Sequence, residues 1–235
     1  MVKKLFYLLF ISLLIISCKK NDSTTTVDSA YNYFPIEVGH TWIYDVDSIG
    51  YDDNTGTTVI DSSHHYQYKE TITENFIDAT GKPVQKLARY YRGSDTNEWM
   101  SANNWIISRD NIRAQKIEEN VRFVKLVFPL NANSYWNGNM FNNLEGINSS
   151  GSENYFVDYF DKPTTINGIY YDKTVMVRRD SSVNAIEEIR KYEIYARNIG
   201  LIYFQSDSIN TQPIDTTSKT KSRGFRYHLK LKSFQ

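Results

Sequence analysis

Few side chains in this sequence combine the type and the spacing that metal binding requires. The four histidines include His64 and His65, which as neighbours in a strand would point to opposite faces and could not grip one ion together. Asp45 and Asp47 have the spacing of the first oxygen ligands in a calcium-binding loop, but Ile49 stands where the next ligand is needed. The sequence therefore predicts no metal site.

Residues suited to acid–base or nucleophilic catalysis are also few. Adjacent acids occur at Glu118–Glu119 and Glu187–Glu188. Glycoside hydrolysis needs two carboxyl groups at a defined separation in space, and adjacent acids in a strand are more typical of a solvated edge. The nucleophile elbow, the HExxH zinc motif, the phosphate-binding loop and the dinucleotide-binding glycines do not occur. We predict that the protein is not an enzyme and uses no cofactor.

The amino-terminal segment has the layout of a secretory signal. Lys3 and Lys4 precede the apolar stretch 5–16. At about 12 residues this stretch is too short for a transmembrane helix, which needs roughly 20, but it suits the hydrophobic region of a signal peptide. The stretch ends directly before Ser17 and Cys18.

Ile15-Ile16-Ser17-Cys18 resembles a bacterial lipobox, in which a branched apolar residue and a small residue precede the cysteine. The resemblance implies that the Cys18 thiol receives a diacylglycerol, that residues 1–17 are removed as a signal peptide, and that the new amino terminus is also acylated. Several acyl chains make a stable membrane anchor. Lys19 stands where an aspartate accompanies inner-membrane retention in lipoproteins of proteobacteria, so we expect the outer membrane. Whether the domain lies on the periplasmic or the surface face of that membrane stays open.

Composition narrows the class of protein further. The chain has 235 residues, with 27 basic and 27 acidic side chains and one cysteine. Zero formal charge and the lack of a basic run argue against a nucleic-acid partner. A single cysteine excludes an intrachain disulfide framework. Residues 18–32, the lipidated cysteine and the polar stretch after it, are too poor in apolar side chains to fold and are predicted to be a flexible tether.

The remainder, 33–235, is predicted to be a single β-rich domain. Alternation of apolar and polar residues is clearest at the carboxyl end, where Phe225, Tyr227, Leu229 and Leu231 share one face. A shorter alternation puts Tyr192 and Ile194 on one face of another strand. The best helical candidates, 112–119 and 139–145, are short. We expect an all-β, mainly antiparallel fold: a curved sheet, a sandwich or an incomplete barrel, with at most short helices.

One pattern occurs twice. Phe34-Pro35-Ile36 is followed by Trp42, and Phe128-Pro129-Leu130 is followed by Trp136 at the same spacing. Gly39 in the first copy aligns with Asn133 in the second, and both residue types tolerate a left-handed backbone. The repeated pattern could mark a duplicated unit, about 33–125 and 126–235, or two unrelated edge turns.

Three patches resemble uncharacterised lipoproteins of the Bacteroidetes, whose domains open with an FPLxxGxxWxY-type segment. The first patch runs from Phe34 to Tyr44, the second covers 126–136, and the third is Tyr195-Ala196-Arg197-Asn198-Ile199-Gly200-Leu201-Ile202. Asn133 departs from the glycine common in the second patch. The resemblance implies a β-rich lipoprotein of the cell envelope and supplies no catalytic residue.

These features predict a membrane-anchored envelope lipoprotein whose β-rich domain binds or scaffolds a partner without catalysis. Two alternatives stay open: a carrier that encloses a lipid or other hydrophobic ligand in a β-walled cavity, and a glycan-binding accessory lipoprotein. The sequence leaves undefined which residues bind and whether the partner is a protein, a glycan or a lipid. Aromatic side chains that could present binding surfaces, or simply fill the core, are Tyr31, Tyr33, Tyr44, Tyr51, Tyr66, Tyr68, Tyr90, Tyr91, Tyr170 and Tyr171.

Overall fold

The computed structural model describes residues 30–52, 59–142, 153–179, 181–213 and 220–235. Within these ranges the chain forms one 3-10 turn, Tyr31–Tyr33, and otherwise strands and their connections. The all-β prediction is confirmed. The strands are β1 (Thr41–Asp52), β2 (Val59–Ile77), β3 (Pro83–Arg92), β4 (Met100–Arg109), β5 (Arg113–Glu118), β6 (Val121–Val127), β7 (Tyr135–Asn137), β8 (Asn154–Ile166), β9 (Ile169–Arg179), β10 (Ser182–Val183), β11 (Glu187–Ala196), β12 (Gly200–Pro213) and β13 (Thr220–Phe234).

All the strands belong to one antiparallel sheet. Its order is β6-β5-β4-β3-β2-β1-β13-β12-β11-β9-β8-β7, with the short β10 paired to β11 outside this path. Because β1 lies beside β13, the path consists of two consecutive meanders, one from β1 to β6 and one from β7 to β13. The predicted division between residues 125 and 126 falls inside β6.

The two ends of this path meet, so the sheet is nearly closed. The Val124 amide of β6 donates to the Gly138 carbonyl just after β7, at 2.9 Å. The Trp136 indole donates to the Val124 carbonyl at 2.8 Å. The Asn142 side chain exchanges hydrogen bonds with both backbone groups of Arg122. Of the three architectures predicted, the structure shows the incomplete barrel.

The repeated sequence pattern occupies matching places in the two meanders. Trp42 and Trp136 are each the second residue of the first strand of a meander, and both are buried. Gly39 has a φ of 103°, as the pattern predicts, whereas Asn133 does not have a positive φ. The turn before β7 therefore differs in backbone conformation from the turn before β1.

The alternation predicted for β13 and β11 is present, but it does not by itself identify the face that lines the cavity. Leu229 and Leu231 face the interior, as expected, whereas Phe225 on the same predicted face is 45% exposed. In β11 it is Glu193 that faces inward, while Tyr192 stacks on Tyr203 outside, with ring centroids 5.5 Å apart. Tyr192 and Ile194 share one face of β11, as predicted, but the opposite face, with Glu193 and Tyr195, lines the cavity. Residues at the end of β11 are buried on both faces, so hydrophobicity alone does not identify the inner one.

The segment 30–36, which we call the strap, lies across one end of the sheet. Arg109 donates to the carbonyls of Tyr31 and Phe34, at 2.9 and 2.7 Å. On the other side, the Tyr33 hydroxyl donates to Asp161 at 2.5 Å. Residues 30–32, assigned to the tether from sequence, thus belong to the folded part.

Neither helical candidate forms a helix where the structure describes it. Residues 113–118 of the first candidate are strand β5, and 139–142 of the second form a turn. In the described part of the chain, no helix has both the length and the apolar character needed to cross a membrane.

Candidate functional site

A partly open cavity of about 170 Å³ lies inside the curved sheet. Its walls come from the strap, from β1 to β6, and from β9, β11, β12 and β13, so neither meander builds it alone. Aromatic rings and charged groups line it, together with a few aliphatic side chains. The aromatic residues are Phe34, Trp42, Tyr44, Trp105, Phe123, Tyr195, Phe204 and Tyr227.

The rings of the first strand are fixed by hydrogen bonds to the backbone of the opposite meander. The Trp42 indole donates to the Ile199 carbonyl at 2.6 Å, and the Tyr44 hydroxyl donates to the Leu201 carbonyl at 3.0 Å. Their polar atoms are therefore satisfied by backbone carbonyls, and the rings supply apolar surface to the cavity wall.

The strap also forms part of the cavity wall. Phe34 packs on Tyr195, with ring centroids 6.5 Å apart, and Pro35 lies against Gly200. A Cβ at Gly200 would stand 3.2 Å from the Pro35 Cδ, and its φ of +91° also favours glycine. Two of the three patches that resemble the lipoprotein family thus contact each other at this cavity.

The first charged cluster joins β2, β3 and β5. Glu70 accepts a hydrogen bond of 2.8 Å from the Arg89 Nε, and its other oxygen is 3.7 Å from the Lys116 Nζ. Lys116 is also 3.7 Å from Glu118. The Arg89 guanidinium lies 3.5 Å from the centroid of the Trp105 ring, a close cation–π contact.

The second charged cluster spans the interior from β6 to β11. The Lys125 ammonium donates to Glu193, and the Tyr195 hydroxyl donates to the other carboxylate oxygen. Glu193 is completely buried. Beside this pair, Arg179 lines the cavity and binds Glu153. Since β6 and β11 are not neighbours in the sheet, the Lys125–Glu193 ion pair ties two walls together.

Opposite charges keep these buried carboxylates ionised. Burial alone would raise the pKa of Glu70, but the charges of Lys116 and Arg89 outweigh burial and hold the pKa below its ordinary value. The same balance, with Lys125 and Arg179 as the cations, lowers the pKa of Glu193. Burial would lower the pKa of Lys125, yet the charge of Glu193 raises it instead.

No protein-family model, curated protein or solved structure matches the chain. What the site can do therefore follows from its geometry. Aromatic walls can hold an apolar face, and ionised side chains can hydrogen-bond polar groups in the same small space. The arrangement suits the binding of a small molecule that has both kinds of surface.

The two interior clusters predict acid sensitivity. A carboxyl group whose pKa is lower in the folded state stabilises the fold fully above its unfolded value, here about 4.5, and that contribution is lost as the pH falls through the folded-state pKa. We expect the free energy of unfolding, measured with urea over a pH series, to fall steeply below about pH 4.5.

Two variants control this pH series. Glu74→Gln breaks an exposed ion pair with Lys86 and should leave the pH dependence unchanged. The double variant Lys125→Met/Glu193→Met, which lacks both charges of this ion pair, should lose stability less steeply as the pH falls. Equal slopes for this variant and the unaltered chain would contradict the assignment.

The residues considered for metal binding lie in the paired strands β1 and β2. His65 contacts Asp47 at 2.9 Å, and Asp45 accepts from Gln67 at 2.7 Å. Both aspartates sit in the regular strand β1 rather than in a calcium loop. In the ranges that the structure describes, no group of three or more His, Cys, Asp or Glu side chains could hold a metal ion.

The adjacent acids separate on folding. Glu118 lines the cavity, whereas Glu119 has a φ of 47° in the turn after β5 and accepts from Asn103. At the start of β11, Glu188 pairs with Arg190 and Arg226. The one acid of these pairs that lines the cavity, Glu118, lies 3.7 Å from the Lys116 ammonium, which also contacts Glu70.

The tyrosines considered as possible binding surfaces lie in different environments. Tyr44 lines the cavity, and Tyr31 and Tyr33 belong to the strap. Tyr170 is 67% exposed and its neighbour Tyr171 only 6%, so this pair is split between two faces of β9. Cys18, with Ile15, Ile16 and Ser17 of the lipobox, lies outside the described residues.

Of the charged lining residues, sequence reasoning singled out only Glu118 and missed the others. A signal was present, because some of these charges fall in phase with apolar residues of the same strand. Lys125 is two residues after Phe123, and Glu193 is two residues before Tyr195. The ion pair between Lys125 of β6 and Glu193 of β11 could not be predicted from either strand alone.

Proposed function

We propose that the chain is a lipid-anchored lipoprotein of the cell envelope whose β-rich domain binds a small molecule in its interior cavity, without catalysis. The observation that carries the binding role is the combination of aromatic rings and ionised side chains around one partly open cavity. A fold that only needed a core would gain little from placing four cations there, two of them, Arg89 and Lys125, buried, since a buried charge must be taken out of water.

Size limits what the cavity holds. Its volume of about 170 Å³ is close to the roughly 150 Å³ of an engineered cavity that takes benzene. It is below the roughly 300–1,000 Å³ of sites for larger ligands. A single ring fits this space, whereas a whole acyl chain among buried charges does not. This supports a small-molecule binder over a carrier of lipids.

The ionisation state supports binding rather than acid–base catalysis. A general acid at neutral pH needs a raised carboxyl pKa, and a general base needs one near the working pH. The pKa values of Glu70 and Glu193 are instead lowered by neighbouring cations. These carboxylates are fixed acceptors of hydrogen bonds.

The anchor is supported by the lipobox pattern at Ile15, Ile16, Ser17 and Cys18. Acylation at Cys18 would place the domain at the membrane, in our proposal the outer membrane, as its first partner. Metabolic labelling with a palmitate analogue tests this: the unaltered chain should be labelled and Cys18→Ser should not. Equal labelling of the two would contradict the anchor.

Native mass spectrometry tests the binding role. Residues 18–235 carrying Cys18→Ser, which retain every described residue, would be secreted in the native host behind a cleavable leader. We expect a retained, non-covalent mass of a few hundred daltons or less that disappears on denaturation. A polypeptide that carries no added mass, and that binds no small molecule afterwards, would contradict the proposed function.

A further inference from the structure

We infer that the ligand of this cavity is an uncharged, hydroxyl-rich ring, of which a single hexose is the representative. The inference depends on the proposed binding role and specifies the class of ligand. It rests on three properties of the lining residues: their charge balance, their available hydrogen-bonding groups and the aromatic ring beside those groups.

Charge balance argues for a neutral ligand. Every lining cation contacts a carboxylate: Arg89 contacts Glu70, Lys125 contacts Glu193, and Arg179 contacts Glu153. Lys116 lies between two carboxylates. An anionic or cationic ligand would therefore add an uncompensated charge to a site partly shielded from water, which is costly.

Available polar groups argue against a purely apolar ligand. Both carboxylates near the Lys116 ammonium are 3.7 Å away, longer than the roughly 2.7–3.2 Å of a hydrogen bond, although the side chain is only 11% exposed. A hydroxyl group placed among these atoms could accept from Lys116 and donate to Glu118 at once. A hydrocarbon ring would leave the ammonium without that bond.

An aromatic face lies next to these groups. In the register of β5 and β6, Lys116 is directly opposite Phe123, and both line the cavity. A sugar ring offers C–H groups on its faces and hydroxyls on its rim. Packed on Phe123, it would direct rim hydroxyls towards Lys116 and Glu118, while the partly open side leaves room for the others.

Matched probes separate the ligand classes. Binding to residues 18–235 with Cys18→Ser would be measured by saturation-transfer NMR and by the fluorescence of Trp42 and Trp105, both of which line the cavity. The probes are glucose, galactose and mannose, with glucuronate as the anionic counterpart, glucosamine as the cationic counterpart and benzene as an apolar ring. We expect at least one neutral hexose to bind about tenfold more tightly than each of the other three probes.

Variants locate the binding site. Lys116→Met keeps most of the apolar stem and leaves Glu70 paired with Arg89, so it should fold and bind the hexose about tenfold more weakly. Phe123→Leu should also weaken binding. Lys86→Met is the control, because Lys86 forms an exposed ion pair with Glu74 and does not line the cavity. It should bind as the unaltered chain does.

The outcomes distinguish this inference from the proposed function. Tighter binding of benzene, glucuronate or glucosamine would overturn the neutral-sugar inference while leaving a binding cavity in place. A retained mass identified as anything but a neutral hydroxylated ring would do the same. Hexose binding that Lys116→Met leaves intact would overturn the site assigned to it. No bound probe and no retained mass would overturn both.

Discussion

Lys125→Met should lower the free energy of unfolding by about 3–5 kcal/mol, because it leaves Glu193 as an unpaired charge in the interior. Glu193 is completely buried, and Lys125 supplies its main opposite charge. The methionine retains the apolar stem of the lysine, so the loss measures the charge and not a cavity. Urea unfolding followed by tryptophan fluorescence gives the value.

The double variant Lys125→Met/Glu193→Met distinguishes the effect of losing the ion pair from the effect of leaving Glu193 as an unpaired charge in the interior. It should recover most of the loss, since a buried ion pair is often replaceable by apolar side chains. Recovery should stay incomplete, because the Tyr195 hydroxyl loses its acceptor. Lys86→Met, in an exposed pair, should change stability by less than about 1 kcal/mol. A double variant less stable than Lys125→Met would refute the explanation.

Gly138→Ala is expected to cost about 3 kcal/mol, at the upper end of the usual range for overpacking. A Cβ at Gly138 would stand 1.7 Å from a ring carbon of Tyr155, which is completely buried and stacked on Trp136. The Gly138 carbonyl also accepts the bond from Val124 that joins the two ends of the sheet. Moving Tyr155 or the backbone would therefore disturb the closure.

Gly93→Ala is the matched control for this substitution. Its Cβ would meet only the Asn97 side-chain oxygen, at 3.3 Å, and its φ is not in the positive range. We expect a change within about 0.5 kcal/mol, measured by the same urea titration. If both alanine variants were equally stable, the contact between Gly138 and Tyr155 would not be the constraint inferred here.

Sequence patterns predicted the class of fold because strand alternation is a local property. The run ending in Leu229 and Leu231 has one apolar face, and these two residues of it are buried, although Phe225 at its start is exposed. Residues 112–119 lacked a clear period, so the strand β5 within them was not recognised. There the pairing of β5 with β4 and β6, rather than local preference, decides the structure.

The site was harder to predict than the fold. Lys125 and Glu193 are 68 positions apart, and neither has a neighbour in the sequence that marks it as half of an ion pair. Alternation could indicate that each points inward, but the identity of the partner depends on how far the sheet curls. The aromatic residues near Trp42 and Tyr195 were noticed because they belong to short motifs, which the fold then brings together.

The pairing of β1 with β13 has a consequence for how the chain folds. Trp42 of β1 pairs with Phe234 of β13. The strand β1, near the start of the described chain, therefore cannot complete its pairing until β13, near the end, is available. Contacts of such long sequence separation are slow to form, because the entropy of closing the intervening chain must be overcome first. Each meander can pair its own hairpins early, but the ladder between the two halves forms late. A chain synthesised from its amino end would therefore remain unclosed until its last strand had been made.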